Sequence, residues 1–149
     1  RRFQTVYKDD NIEMIDDYAH HPTAIASTLE TLRNRTDRKI ISVFQPHRYT
    51  RTQQCWSSFL HCFNQSDEVF LLPIYAASEK VIKGITSESL SRDINKLHPD
   101  LTKCIDEVDV LTDYFKKMKK TNEKAVIISI GAGSVGKLTK ELVESVFTS

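Results

Sequence analysis

The chain has 149 residues, 40% of them hydrophobic and 28% charged, with a formal net charge of +1. That length suits one globular domain, residues 1–149, burying most of its apolar side chains, and the near-neutral balance argues against a dedicated nucleic-acid binder, which would carry a large basic excess. No apolar run approaches the roughly 20 residues that span a bilayer, and the opening RRFQTVYKDD reads as a domain boundary, not a secretory leader, so a cytoplasmic location is expected.

In chain order, FQTVY (3–7) and NIEMI (11–15) are short apolar runs around the charged turn KDDN, which predicts a β-hairpin. PTAIASTLETLRNR (22–35) opens on Pro22, tolerated in a first helical turn, and Ile25, Leu29 and Leu32 recur at helical spacing. KIISVF (39–44) is β-branched and apolar, the composition of a buried strand. TRTQQCWSSFLHCFNQ (50–65) places Cys55, Trp56, Phe59, Leu60 and Phe63 on one helical stripe. Cys55 and Cys62 would share a helical face. With Cys104 they read as small buried hydrophobes in a reducing compartment; a metal or redox pair is the other reading, for which zinc-type spacing is missing.

DEVFLLPIY (67–75) is the next strand, with pairing expected to stop near Pro73. TSESLSRDINKL (86–97) starts with a capping group, and DEVDVLTDYFKKMKK (106–120) runs from acids to lysines, as a helix dipole favours. EKAVIISIGAGSVGKLTKELVESVF (123–147) is a strand, a glycine turn and a helix. Strands alternating with helices predict an α/β, Rossmann-like three-layer domain, its sheet mostly parallel with an N-terminal antiparallel hairpin. Ligands of such sheets bind beyond the carboxyl ends of the strands. Three loops should therefore meet there: DDYAHHPT, QPHRYTR and GAGSVGK.

Each loop has a functional and a plain structural interpretation. GAGSVG fits a dinucleotide-binding turn, but only residues 137–149 follow Gly136, too few for the acid-bearing strand that normally comes next. What remains is a glycine turn whose N–H groups can hold an anion. In DDYAHHP, His20 and His21 point to opposite sides. Either one packs while the other caps the helix, or the loop binds a ligand, with Asp17 an open acceptor for sugar hydroxyls or metal-bound water and not a buried charge. In QPHRYTR, Arg48 and Arg51 would share a face in a first helical turn, and their forks suit carboxylate or phosphate. A solvated basic turn would need neither Pro46 nor the flanking rings.

DDYAHHPTAIASTLETLR, FQPHRYTRT, LLPIYAASEK and GAGSVGKL, in that order, resemble the carboxyl-terminal domain of the Mur ligase family over nearly the whole chain. DDYxHHPT combined with FQPHRYTR resembles the branch that joins L-alanine to UDP-N-acetylmuramate in peptidoglycan precursor synthesis. The resemblance implies an ATP-dependent, ADP-forming ligase of three domains, of which the central ATPase and N-terminal UDP-binding domains are absent from these 149 residues. It further implies that ATP and Mg2+ are held mainly by the central domain, with no metal ligand here.

By the same resemblance His47, Arg48 and Arg51 form a catalytic cluster facing the amino acid and the reacting phosphate. Tyr18, His20, Arg48, Arg51 and Ser134 bind substrate, and Asp17 and His20 approach the nucleotide. Ala19, Ala24 and Ser78 depart from the family's usual glycine, glutamate and glycine. With no G-x-x-x-x-G-K-[ST] loop, the chain alone is expected to lack ligase activity. A stand-alone dinucleotide-binding module built on GAGSVG, and an RNA- or phosphopeptide-binding domain built on HRYTR, are the alternatives from other classes.

Overall fold

The computed structural model describes residues 2–148. Two antiparallel strands, β1 (Gln4–Lys8) and β2 (Ile12–Asp17), open the fold and are followed by α1 (Pro22–Arg35), β3 (Lys39–Phe44), α2 (Tyr49–Gln54) and α3 (Trp56–Phe59). Then come β4 (Glu68–Leu71), α4 (Ser87–Leu97), β5 (Thr102–Cys104), α5 (Val108–Lys120), β6 (Ala125–Ile130) and α6 (Val135–Leu142), which runs into a wider π-type turn at Val143–Phe147. The six strands lie in the order β1-β2-β6-β3-β4-β5, and all pairings but the first are parallel.

Strand alternation splits the core into two layers. Ile41 and Val43 of β3, with Ala125 and Ile127 of β6, face Leu111 and Phe115 of α5 and Leu138 and Leu142 of α6. Ile40 and Phe44, with Val126, Ile128 and Ile130, face Ile25 and Leu29 of α1, Phe59, and Leu90 and Ile94 of α4. Helices therefore cover both faces, and the predicted three-layer α/β arrangement is the observed one.

Register then aligns the carboxyl ends. Asp17 pairs with Ile130, Ile130 with Phe44, and Phe44 with Leu71, a single row across four strands. The next residue of each strand begins a loop, so the loops leave the sheet from one edge.

Two local expectations are corrected. The helix expected over 50–65 is broken at Cys55 (φ −101°, ψ 15°), and beyond α3 the N–H groups of Leu60 and His61 donate to Ser57 and Ser58, the tighter i→i−3 pattern. The break lets Phe59 and Phe63 both reach Phe44, at ring-centroid distances of 5.6 and 5.1 Å. The short edge strand β5 was not expected. Ser91 and Asn95 of α4 hydrogen-bond Thr102 and hold it in place.

Candidate functional site

The three loops converge as the strand register requires. Gly131 N–H donates to the Asp17 carbonyl at 3.1 Å, and Gln45 N–H to the Ile130 carbonyl, tying the β2, β3 and β6 loops together at their roots. Gln45, 7% exposed, then spans the gap: its Nε2 donates to Ser134 Oγ at 3.0 Å and its Oε1 accepts from Val135 N–H at 3.2 Å. Two donors of the glycine turn, Gly131 N–H and Val135 N–H, are thus already used. A Cβ on Gly133 would lie 2.7 Å from Gln45 Oε1 and 2.7 Å from Tyr75 Cγ, so glycine here permits close approach of three segments. The turn is closed by side chains and is not an open pyrophosphate cradle.

The β3 loop carries the cationic cluster. Pro46 and Pro73 stiffen two segments that meet through reciprocal main-chain bonds: Tyr75 N–H donates to Pro46 O and Arg48 N–H to Tyr75 O, each at 2.8 Å. The His47 imidazole stacks on the Tyr75 ring with centroids 5.5 Å apart, and its centroid lies 5.6 Å from that of the tilted His20 ring. Burial lowers the His47 pKa, and the charges of His20, Arg48 and Arg51 lower it further, with Glu79 opposing. His47 is therefore a neutral imidazole at pH 7.

Arg48 does not lie in the first helical turn beside Arg51, as expected, but precedes α2 as its N-cap with φ 73° and ψ 141°. A β-carbon is disfavoured there, at a cost on the order of 1–3 kcal/mol. The Arg48 carbonyl compensates by accepting from Thr52 N–H at 3.2 Å and from Thr52 Oγ at 2.8 Å, inside the core. Among the described residues, neither the Arg48 nor the Arg51 guanidinium has a hydrogen bond or ion pair. The nearby carboxylate of Glu79 is engaged elsewhere: Thr50 N–H donates to it at 3.1 Å, and Thr50 Oγ donates to its second oxygen.

On the β2 loop Tyr18 is exposed and Arg2 lies over its ring at 6.0 Å. His20 turns toward His47 while His21 caps α1, its Nδ1 accepting from Thr23 N–H. That cap serves a first helical turn that holds no acidic residue. Ala19 keeps an ordinary negative φ, so its extra methyl group is accommodated.

Asp17 overturns the expectation of an open acceptor. It is 3% exposed, and its oxygens accept from Phe3 N–H at 2.9 Å and Ala19 N–H at 2.8 Å. It is a buried carboxyl that fixes the loop. Gln45, Thr50, Tyr75 and Glu79 belong to the same rim and were not singled out from the sequence. The available signal was their position, one residue beyond β3 for Gln45 and in the proline-stiffened β3 and β4 loops for the others.

The cysteines are free thiols. Cys62 is buried and its pKa is raised by that burial, and Cys55 lies 3.9 Å from His21 Nε2.

The family model described as Mur ligase, glutamate ligase domain, matches residues 1–133. A UDP-N-acetylmuramate–L-alanine ligase of Rickettsia felis is 39% identical over 146 residues, covering 95% of this chain and 30% of the relative. One from Syntrophobacter fumaroxidans is 40% identical over 151 residues, covering 100% and 32%. The crystal structure of UDP-N-acetylmuramate-alanine ligase MurC from Thermotoga maritima superposes with a TM-score of 0.70 at 27% identity, covering 97% of this chain and 29% of that one. The chain thus spans about 30% of the length of the relatives it matches. With the matching residues running through all three rim loops, the chain belongs to the Mur ligase family, whose carboxyl-terminal domain it represents.

Proposed function

We propose that this domain serves an ATP-dependent, ADP-forming ligase that joins L-alanine to UDP-N-acetylmuramate in peptidoglycan precursor synthesis, with Arg48 and Arg51 holding the amino-acid carboxylate. The observation that carries this reading is the pair of guanidinium groups, of exposed Arg48 and half-buried Arg51, that have no hydrogen bond or ion pair among the described residues and stand beside His47 on the rim. In such a reaction the lactyl carboxylate is activated as an acyl phosphate, the amine attacks, and phosphate leaves. The rim's part is to place the amine: a forked contact to the carboxylate fixes the amino acid's orientation, which lowers the barrier by proximity.

His47, its pKa lowered and its ring in contact with those of His20 and Tyr75, acts as a hydrogen-bonding wall beside the arginines. Tyr18, His20 and Ser134 line the remaining edge toward substrate, and His20 also faces the nucleotide. Asp17 acts on the nucleotide side only through the loop that it fixes.

The residues present do not fit Mg2+ or ATP by themselves. Among the described residues no group of three or more His, Cys, Asp or Glu is gathered, and no phosphate loop exists in the sequence. Both belong to parts of the enzyme outside these residues, so the domain alone has no ligase activity in this reading, and its place is cytoplasmic. The test is Arg48→Ala in the full-length ligase. We expect kcat/KM for L-alanine to fall at least about 100-fold, the scale of losing one charge-stabilising contact. An unchanged rate would return the cluster to a solvated basic turn.

A further inference from the structure

We propose that Glu79 is a positioning residue for the arginine pair, an inference that rests on the ligase reading above. By accepting both polar hydrogens of Thr50, it fixes the start of α2, and because it is so occupied it is held off Arg48 and Arg51. The guanidinium groups are thereby left for the substrate anion.

The geometry carries both halves. The Tyr75–Glu79 segment is attached to the Pro46–Thr50 segment at separate points: the two main-chain bonds at Tyr75, the ring stack on His47, and the Glu79–Thr50 pair. Between them lies Arg48 in its disfavoured backbone conformation, which only an over-determined surround can maintain. The turn that delivers Glu79 is itself strained: Ala77 and Ser78 both have positive φ, 50° and 70°, while Glu79 N–H donates to Ala76 O at 3.0 Å. Such a turn aims the carboxylate back across the loop.

A carboxylate close enough to Arg48 to feel its charge would ordinarily form an ion pair with it. Here it is bound to a backbone amide and a hydroxyl instead. Thr50 therefore acts as a keeper, and removing it should release Glu79 to quench Arg48. A purely structural cap makes no such prediction, because the loss of either partner would then have the same effect.

The experiment is a double-mutant cycle in the full-length ligase, with Arg48→Ala measured alongside and folding followed by thermal unfolding. Glu79→Ala is expected to raise KM for L-alanine about 10-fold with a smaller change in kcat, the pattern of lost carboxylate binding. Glu79→Gln should stay within about threefold of the parent, since its amide oxygen accepts from Thr50 N–H and its NH2 donates to Thr50 Oγ. Thr50→Val should raise KM about 10-fold, and adding Glu79→Gln should recover part of that loss, because a neutral amide cannot quench Arg48. A double variant no better than Thr50→Val alone overturns the proposal, as does an unchanged KM in Glu79→Ala beside an inactive Arg48→Ala. Full activity in Arg48→Ala overturns the ligase reading beneath it.

Discussion

The imidazole of His47 lies almost parallel to the phenol ring of Tyr75, 14° between planes, while the chain segments bearing them are joined as an isolated parallel bridge. The pair welds the end of β3 to the loop after β4, and the Tyr75 ring continues onto Gly133 of the third loop. Tyr75→Phe keeps the stack and should leave kcat/KM within about threefold of the parent. Tyr75→Ala forfeits an aromatic contact of about 0.5–1.5 kcal/mol and the packing over Gly133, and should lower kcat/KM about 10-fold. Steady-state phosphate release by the two variants checks this.

Arg48 combines a functional side chain with an unfavourable backbone. Arg48→Gly should therefore raise stability by about 1 kcal/mol, strain relief outweighing glycine's entropy, while abolishing activity as fully as Arg48→Ala. Urea unfolding of the domain, set beside the ligase rate, measures both. A loss of stability in the glycine variant would show that the conformation is not strained.

Gly133→Ala places a methyl group within 3 Å of Gln45 and Tyr75. The Gln45 bridge to Ser134 and Val135 should open, with a stability cost of about 1–3 kcal/mol from overpacking. Amide hydrogen exchange at Val135, whose N–H that bridge protects, should accelerate while exchange in β6 stays slow.

The pKa of His47 is lowered in the folded state, so the unfolded chain binds the proton more readily. Above its ordinary value of about 6.5 the group is neutral in both states and contributes no pH dependence. As pH falls below that, the unfolded state gains protons first and stability declines, until the folded imidazole is protonated too. Replacing His47 with Gln should flatten the stability profile just below about pH 6.5. An identical slope in the variant would assign the effect to other groups.

The fold was legible because its signals are local. β-branched runs bounded by charge marked β3 and β6, and α1 and β3 have the expected limits. β5 escaped because a three-residue edge strand held by Ser91 and Asn95 has no pattern of its own. The break at Cys55 escaped because helical spacing of Cys55, Phe59 and Phe63 says nothing about whether Phe44 can be reached from a straight helix. At the rim, residue types in the three loops pointed to an anion site. Side-chain pairing across loops decided which groups remain available: Asp17 is used by backbone, Glu79 by Thr50, and the arginines by neither. Such pairings have no expression in sequence spacing.

Ser78 marks a place where glycine would serve better. With φ 70° beside Ala77 at 50°, Ser78→Gly should add about 1 kcal/mol of stability, read as a rise in Tm, without touching the arginines.

β6 is the last strand along this chain, yet it occupies the middle of the sheet, paired on one side with β2 and on the other with β3. While the polypeptide is being made, then, a nascent chain that has not yet released Ala125–Ile130 from the ribosome holds two half-sheets with bare inner edges and nothing between them. Those exposed edges invite pairing with other chains. Assembly of the rim must therefore wait for translation to pass residue 130.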